Sequence, residues 1–107
     1  MIDIAFIRER VQAGEYDLSH HAHKERQVEQ ITVEEIEKTL IAGAIIEKYP
    51  NDPRGESCLV VAKLAKQALH VVCGTRDERL LIVTLYRPLP SVWVNYKIRR
   101  KELKSRV

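Results

Sequence analysis

Between Leu18 and Arg26 the chain reads LSHHAHKER, which gathers three of its four histidines, a lysine and an arginine into nine residues. Histidine changes protonation near neutrality, and Lys24 and Arg26 are side chains that hold phosphate. A metal site is a poor fit to this spacing. His20 and His23 are three apart and His21 and His23 two apart, whereas a zinc site needs three or four converging ligands. No metal and no cofactor are therefore expected. Two readings remain open for the segment: a helix face turned to water, or part of a face that binds RNA or a partner protein.

A second group of proton-bearing and cationic side chains lies further along. Chemistry at a phosphodiester requires a base, a cation for the charge that develops at phosphorus and an acid for the departing oxygen; the family resemblance given below makes RNA the substrate to consider. His70, Tyr86 and Arg87 supply those types, with His21 as a further proton-transfer candidate. Lys24, Arg26, Arg54, Arg99 and Arg100 are the candidates for holding the RNA backbone. Each has a plainer reading beside it. His70 is equally a strand histidine hydrogen-bonded beneath a loop, Tyr86 a ring closing the edge of a core, and Gly55 beside Arg54 a turn residue.

The elements that must position these groups change character midway. Ile4, Ile7 and Val11 recur at helical spacing over residues 3–13, and Gly14 is placed to stop that helix. Ser19 can cap a short helix through about residue 29 whose only apolar members are Ala22 and Val28. Thr32-Val33-Glu34-Glu35 is a capping-box sequence opening a helix over 33–42 that Gly43 closes. After Gly43 the runs AIIEKY, SCLVVAKL, ALHVVCG and RLLIVTLY read as strands, with PNDPRGE as a loop and GTRDE as a hairpin connection. The AKQ turn has no Gly or Asn to supply positive φ.

Helices first and strands afterwards predict an α+β fold, with the N-terminal helices packed on one face of an antiparallel sheet of about four strands. A tight turn at Ala65 and Lys66 sets Cys58 opposite Cys73, Val60 opposite Val71 and Ala62 opposite Leu69, an apolar face for the helices to cover. Both cysteines are expected there as reduced thiols. On the last strand Leu81, Val83 and Leu85 are expected to share that face. His70, Thr84 and Tyr86 then fall together on the less buried side, with Arg87 at its rim.

At 107 residues, with 45% hydrophobic and 31% charged residues, the chain fits one domain over 1–107 with a core of its own. No stretch is apolar enough for a membrane span, and the charged residues within MIDIAFIRERV mark a helix and not a leader, so a cytoplasmic protein without membrane contact is expected. The net charge of +3 is uneven. Residues 97–107 carry a surplus of five positive charges and residues 1–96 a net charge of −2, so the basic tail is either an arm for phosphates or a solvated terminus.

The runs YPNDPRGESCLVVAK, LHVVCG and IVTLYRP, followed by Trp93 and a trailing RR, resemble a small bacterial and archaeal domain family of unknown function. The pattern falls on Ser19, His21, Ala22, Tyr49, Pro50, Asp52, Arg54, Gly55, His70, Thr84, Tyr86, Arg87, Pro88 and Trp93. This chain departs from it at Gln30, where the family often has glycine, in its glycine-free AKQA turn, and at Leu89 and Pro90, where an acid is common. Members resemble the RelE and MqsR messenger-RNA interferases of the barnase, EndoU, colicin and RelE group. The resemblance implies a RelE-like toxin-type domain, a metal-independent endoribonuclease acting on mRNA or ribosome-bound mRNA, partnered by a cognate antitoxin of zinc-finger type. The alternative is a non-catalytic RNA- or protein-binding domain, since kinship of fold does not carry chemistry with it.

Overall fold

The computed structural model describes residues 2–65 and 67–99. Three helices start where a side chain can accept the free N–H groups of a first turn. Asp3 accepts from Phe6 N at 2.8 Å to open α1 (Ile4–Gln12), and Ser19 accepts from Ala22 N at 3.0 Å to open α2 (His20–Val28). Thr32 and Glu35 form the expected capping box at the head of α3 (Val33–Ala42). That helix stops at Gly43, where the backbone passes so close to its neighbours that a Cβ would lie 2.4 Å from Thr39 O and 2.5 Å from Val61 O.

The main sheet holds β1 (Tyr16–Leu18), β2 (Ala44–Tyr49), β3 (Ser57–Leu64), β4 (Gln67–Arg76) and β5 (Arg79–Tyr86), in the order β1-β5-β4-β3-β2. The architecture is α+β, with a mostly antiparallel sheet of five strands in place of the expected four. The added strand, β1, pairs parallel to β5. It is three residues long, too short for alternation to announce it in the sequence. A separate two-stranded ribbon joins β6 (Trp93–Val94) to β7 (Ile98–Arg99), so the basic segment begins in ordered structure. Arg100 and the rest of the tail to residue 107 lie outside the described residues.

Cross-strand register between β3 and β4 is as the apolar pattern requires: Cys58 faces Cys73, Val60 faces Val71 and Ala62 faces Leu69. Both cysteines are free and buried, and burial first, then the Glu56 charge, pushes the Cys58 thiol up to about 11. Ala65 occupies the left-handed region at φ 54° in the connecting turn, a conformation that costs a non-glycine residue about 1–2 kcal/mol.

The next hairpin departs from expectation. β4 runs on to Arg76, and the connection shrinks to Asp77 and Glu78, both at positive φ, as a two-residue turn matching strand twist demands. Leu80, Ile82 and Leu85 are fully buried, while Leu81 and Val83 are only half-buried. The core face expected from Leu81, Val83 and Leu85 is therefore corrected to Leu80, Ile82 and Leu85. A β-bulge is the cause: Val72 pairs with Thr84 but Cys73 pairs with Ile82, which leaves Val83 as the extra residue.

Ile7 and Val11 of α1, Ala22 of α2, and Ile36 and Leu40 of α3 join Val60, Val71, Ile82 and Leu85 in the principal core. A second cluster combines Leu59, Val61 and Trp93, with Tyr49, Val72 and Tyr96 against it. The side of the sheet expected to be open is thus half covered by the β6–β7 ribbon. None of the described helices is long and apolar enough to cross a membrane.

Two substitutions test this backbone. Gly43→Ala should lower the free energy of unfolding by about 1–3 kcal/mol, because both close neighbours are backbone carbonyls that cannot rotate away. Gln30→Gly should raise it by about 1 kcal/mol, since Gln30 holds φ 57° just beyond α2. Denaturant titration of both variants checks the two signs.

Candidate functional site

The polar side chains of α2 and its caps line the edge of the strand beside it. β1 pairs with β5 only as far as Ile82, and beyond that point α2 supplies the missing partners for the strand edge. Ser19 donates from its backbone N–H to Ile82 O at 2.9 Å and from its hydroxyl to Val83 O at 2.7 Å. Glu25 accepts from Leu85 N at 3.3 Å, and Glu29 accepts from Arg87 N at 3.2 Å. An apolar stripe would leave those backbone groups unpaired. Ala22 is the one fully buried residue of the helix, and His20, His21, His23 and Lys24 remain exposed.

His21 stands one turn before Glu25, and its Nε2 lies 3.0 Å from Glu25 Oε1. The same carboxylate oxygen accepts a short hydrogen bond from the Thr84 hydroxyl. With Nε2–H committed to the carboxylate, the neutral ring presents Nδ1 as an acceptor, and Nδ1 has no hydrogen-bond partner among the described residues.

His21 and Thr84 border a groove of about 550 Å³ whose floor is Val72, Gly74, Leu81 and Val83. The far wall is the loop between β2 and β3, with Asp52 and Arg54, and the strand ends Tyr49 and Ser57 that flank it. Asp52 builds that loop by accepting from Arg54 N at 2.9 Å and, through its carbonyl, from Gly55 N at 2.9 Å. Gly55 sits at φ 115°, so the turn reading of this glycine holds. The Arg54 guanidinium forks Asp52 at 3.3 Å and keeps its carboxyl below the ordinary value, yet its side chain is 83% exposed. An ion pair so exposed is weakly held, and Arg54 is free to exchange Asp52 for another anion.

His70 is on the same face but not in the groove. It pairs across the strands with Tyr86, whose hydroxyl lies 3.3 Å from His70 Nδ1. His70 Nε2 lies 2.6 Å from the backbone carbonyl of Tyr96, which can only accept, so Nε2 carries the proton and Nδ1 accepts from Tyr86. The Trp93 ring meets the imidazole edge-on at 4.5 Å. Burial lowers the His70 pKa against the opposing pull of the Tyr96 carbonyl, and burial raises that of Tyr86. The ring is fully buried with both nitrogens engaged.

The ribbon over His70 is fastened by Arg99, whose Nε and Nη2 reach Glu47 at 2.8 and 3.0 Å while its guanidinium lies 4.6 Å over the Trp93 ring. Burial alone would raise the Glu47 pKa; the bonds from Arg99 and Tyr49 outweigh it and hold the carboxyl low. Tyr49 is pushed up to about 12 by burial and by its bond to Glu47. Arg87 turns away from the groove to Glu35 at 3.0 Å and, with Tyr86, Trp93 and Arg99, borders a separate depression of about 360 Å³. Arg26 folds back on Ile31 O at 3.2 Å, and Lys24 stays on the exposed side of α2.

Of the sequence candidates, then, the groove brings together His21, Arg54 and Thr84, and the covered cluster brings together His70, Tyr86 and Arg99. Glu25, Glu47 and Tyr96 went unremarked in the sequence. Glu25 was signalled by its i,i+4 spacing from His21; nothing local signals the other two. Among the described residues no three His, Cys, Asp or Glu side chains converge as a metal site would require.

A family model described as a domain of unknown function, DUF4258, matches residues 18–87, and the chain belongs to that family. No curated protein and no solved structure matches it. The matched span contains every residue of the groove and ends before the β6–β7 ribbon.

The burial of neutral His70 gives stability a pH dependence whose sign follows from its lowered pKa. Below the ordinary histidine value near 6.5 the unfolded chain gains a proton that the folded chain refuses, so this contribution is present above that value and is lost as pH falls toward the folded pKa. Each unit of separation is worth about 1.4 kcal/mol. Urea unfolding followed by the fluorescence of Trp93, the single tryptophan, should show this loss in the wild type and a flatter profile in His70→Gln.

Proposed function

We propose that this DUF4258 member is a metal-independent endoribonuclease of toxin type, acting on messenger RNA and neutralised by a cognate antitoxin. The observation that carries the reading is the His21 imidazole, oriented by Glu25 and facing Arg54 across one groove. A base held by a carboxylate and a cation free to bind phosphate are two of the three groups that cleavage through a 2′-hydroxyl needs. His21 Nδ1 takes the proton of the 2′-hydroxyl, the oxygen attacks phosphorus, and the 5′-oxygen departs and is protonated from water, whose hydroxide takes the proton back from His21, leaving a 2′,3′-cyclic phosphate. Arg54 balances the charge on the phosphorane. The resemblance of the motif residues to RelE and MqsR interferases, which implies a RelE-like fold and a zinc-finger antitoxin, supports the same reading. The surplus of positive charge in residues 97–107 adds attraction to the RNA backbone.

In this reading the proton-transfer role sits on His21, while His70 and Tyr86 anchor the ribbon that walls one side of the sheet face. A second reading is favoured by the acids at the groove. Asp52 and Glu56 stand beside Arg54, a charge balance that also suits a non-catalytic site for a basic segment of a partner protein.

Incubation of the purified protein with unstructured RNA in excess chelator should yield fragments ending in 2′,3′-cyclic or 3′-phosphate. His21→Ala should slow this by roughly 10²–10⁴-fold, with thermal unfolding confirming that the variant folds. Co-expression with an antitoxin encoded beside it should relieve growth inhibition. A wild-type protein that neither cleaves RNA nor inhibits growth, with and without ribosomes, would leave the binding reading in place of this one.

A further inference from the structure

On the half of the sheet face under the ribbon, the Trp93 ring lies against Leu59 and Val61 with the Arg99 guanidinium above it. On the adjoining half, Val72, Leu81 and Val83 offer a similar aliphatic floor, bordered by the Tyr49 ring. Gly74 lines the same floor, opposite Leu81 on the central strand of the sheet, where glycine weakens a strand. Its backbone does not require glycine: φ is not positive, and a Cβ there would meet only ordinary contacts, the nearest being Glu56 O at 3.4 Å. What the missing side chain provides is depth. The rim around this floor is polar, with the hydroxyls of Thr84 and Ser57 beside His21 and Arg54.

We propose that the groove seats one unpaired nucleobase of RNA flat on Val72, Leu81 and Val83, in the depth left open by Gly74, with its ribose toward His21 and its phosphate toward Arg54. The arrangement rests on the reading of the groove as the RNA site. An apolar floor takes the face of any base, while the hydroxyls of the rim meet its edge. A base within a duplex keeps both faces stacked on its neighbours and cannot enter.

The test uses the full chain and short 2′-O-methyl RNA oligonucleotides, which bind without being cleaved. Fluorescence anisotropy should show Gly74→Val weakening single-strand binding by roughly ten- to a hundredfold, the effect of keeping one base face off an apolar seat, and Gly74→Ala weakening it less. The same oligonucleotide in a duplex should bind wild type and Gly74→Val alike. A folded Gly74→Val protein that binds single strands as the wild type does would overturn the base seat and leave the ribonuclease reading standing. Absence of RNA binding and cleavage by the wild type would overturn both. Should Gly74→Val fail to fold, competition against the wild type decides: nucleoside 3′-monophosphates should displace the oligonucleotide where ribose phosphate does not, and equal displacement by both would remove the base from the site.

Discussion

The extra residue in β5 decides which of its side chains stand on the groove side of the sheet. Without the bulge at Val83, the register set by the Asp77–Glu78 turn would place Leu85 opposite His70 and turn Thr84 and Tyr86 toward the principal core. With it, Leu80, Ile82 and Leu85 all enter the core although their spacing breaks strict alternation. A comparable shift between Ile45 and Glu47 in β2 brings Glu47 opposite Leu59, on the side where Arg99 arrives. Two bulges thus reconcile a continuous apolar core with a polar face assembled from neighbouring strands.

The second organising element is the termination of β1 after three residues. A longer β1 would have paired the whole of β5; a shorter pairing leaves Val83, Leu85 and Arg87 with backbone groups that water or side chains must satisfy. Helix α2 and its caps satisfy them with Ser19, Glu25 and Glu29, positions that an apolar stripe could not serve. The same Glu25 oxygen that closes the strand edge orients His21 and receives the Thr84 hydroxyl. Strand-edge pairing and imidazole orientation therefore converge on one carboxylate, which ties the position of the imidazole to the integrity of the sheet.

The C-terminal ribbon divides the face in two. Trp93 supplies the apolar contact, Tyr96 a carbonyl for His70, and Arg99 a paired charge for Glu47. A buried neutral histidine with both nitrogens bonded is a specific and rigid peg, since its two partners fix the tautomer as well as the ring orientation. What remains uncovered is the groove, deepened by Gly74 and walled by a loop that the Asp52 side chain shapes from within.

Much of the local structure was legible in the sequence, because it depends on interactions between near neighbours. The capping box at Thr32, the cap at Ser19, the stop at Gly43 and the pairing of Cys58 with Cys73 across a tight turn all follow from spacing and alternation. His21 and Arg54 stand out in the sequence as candidates without an evident local burden, and both line the groove. The sequence also marked His70, Thr84 and Tyr86 as sharing a face, but for a reason only partly right, since it assigned Leu81 and Val83 to the core. The bulge that changes this assignment is an outcome of matching two apolar faces in three dimensions, and no residue type announces it. Nor does any local pattern say that Tyr96 O would reach His70 or that Arg99 would find Glu47, contacts spanning 26 and 52 residues. Which histidine is sealed and which faces a groove is decided by such long-range packing, because burial is a property of what the rest of the chain places on top.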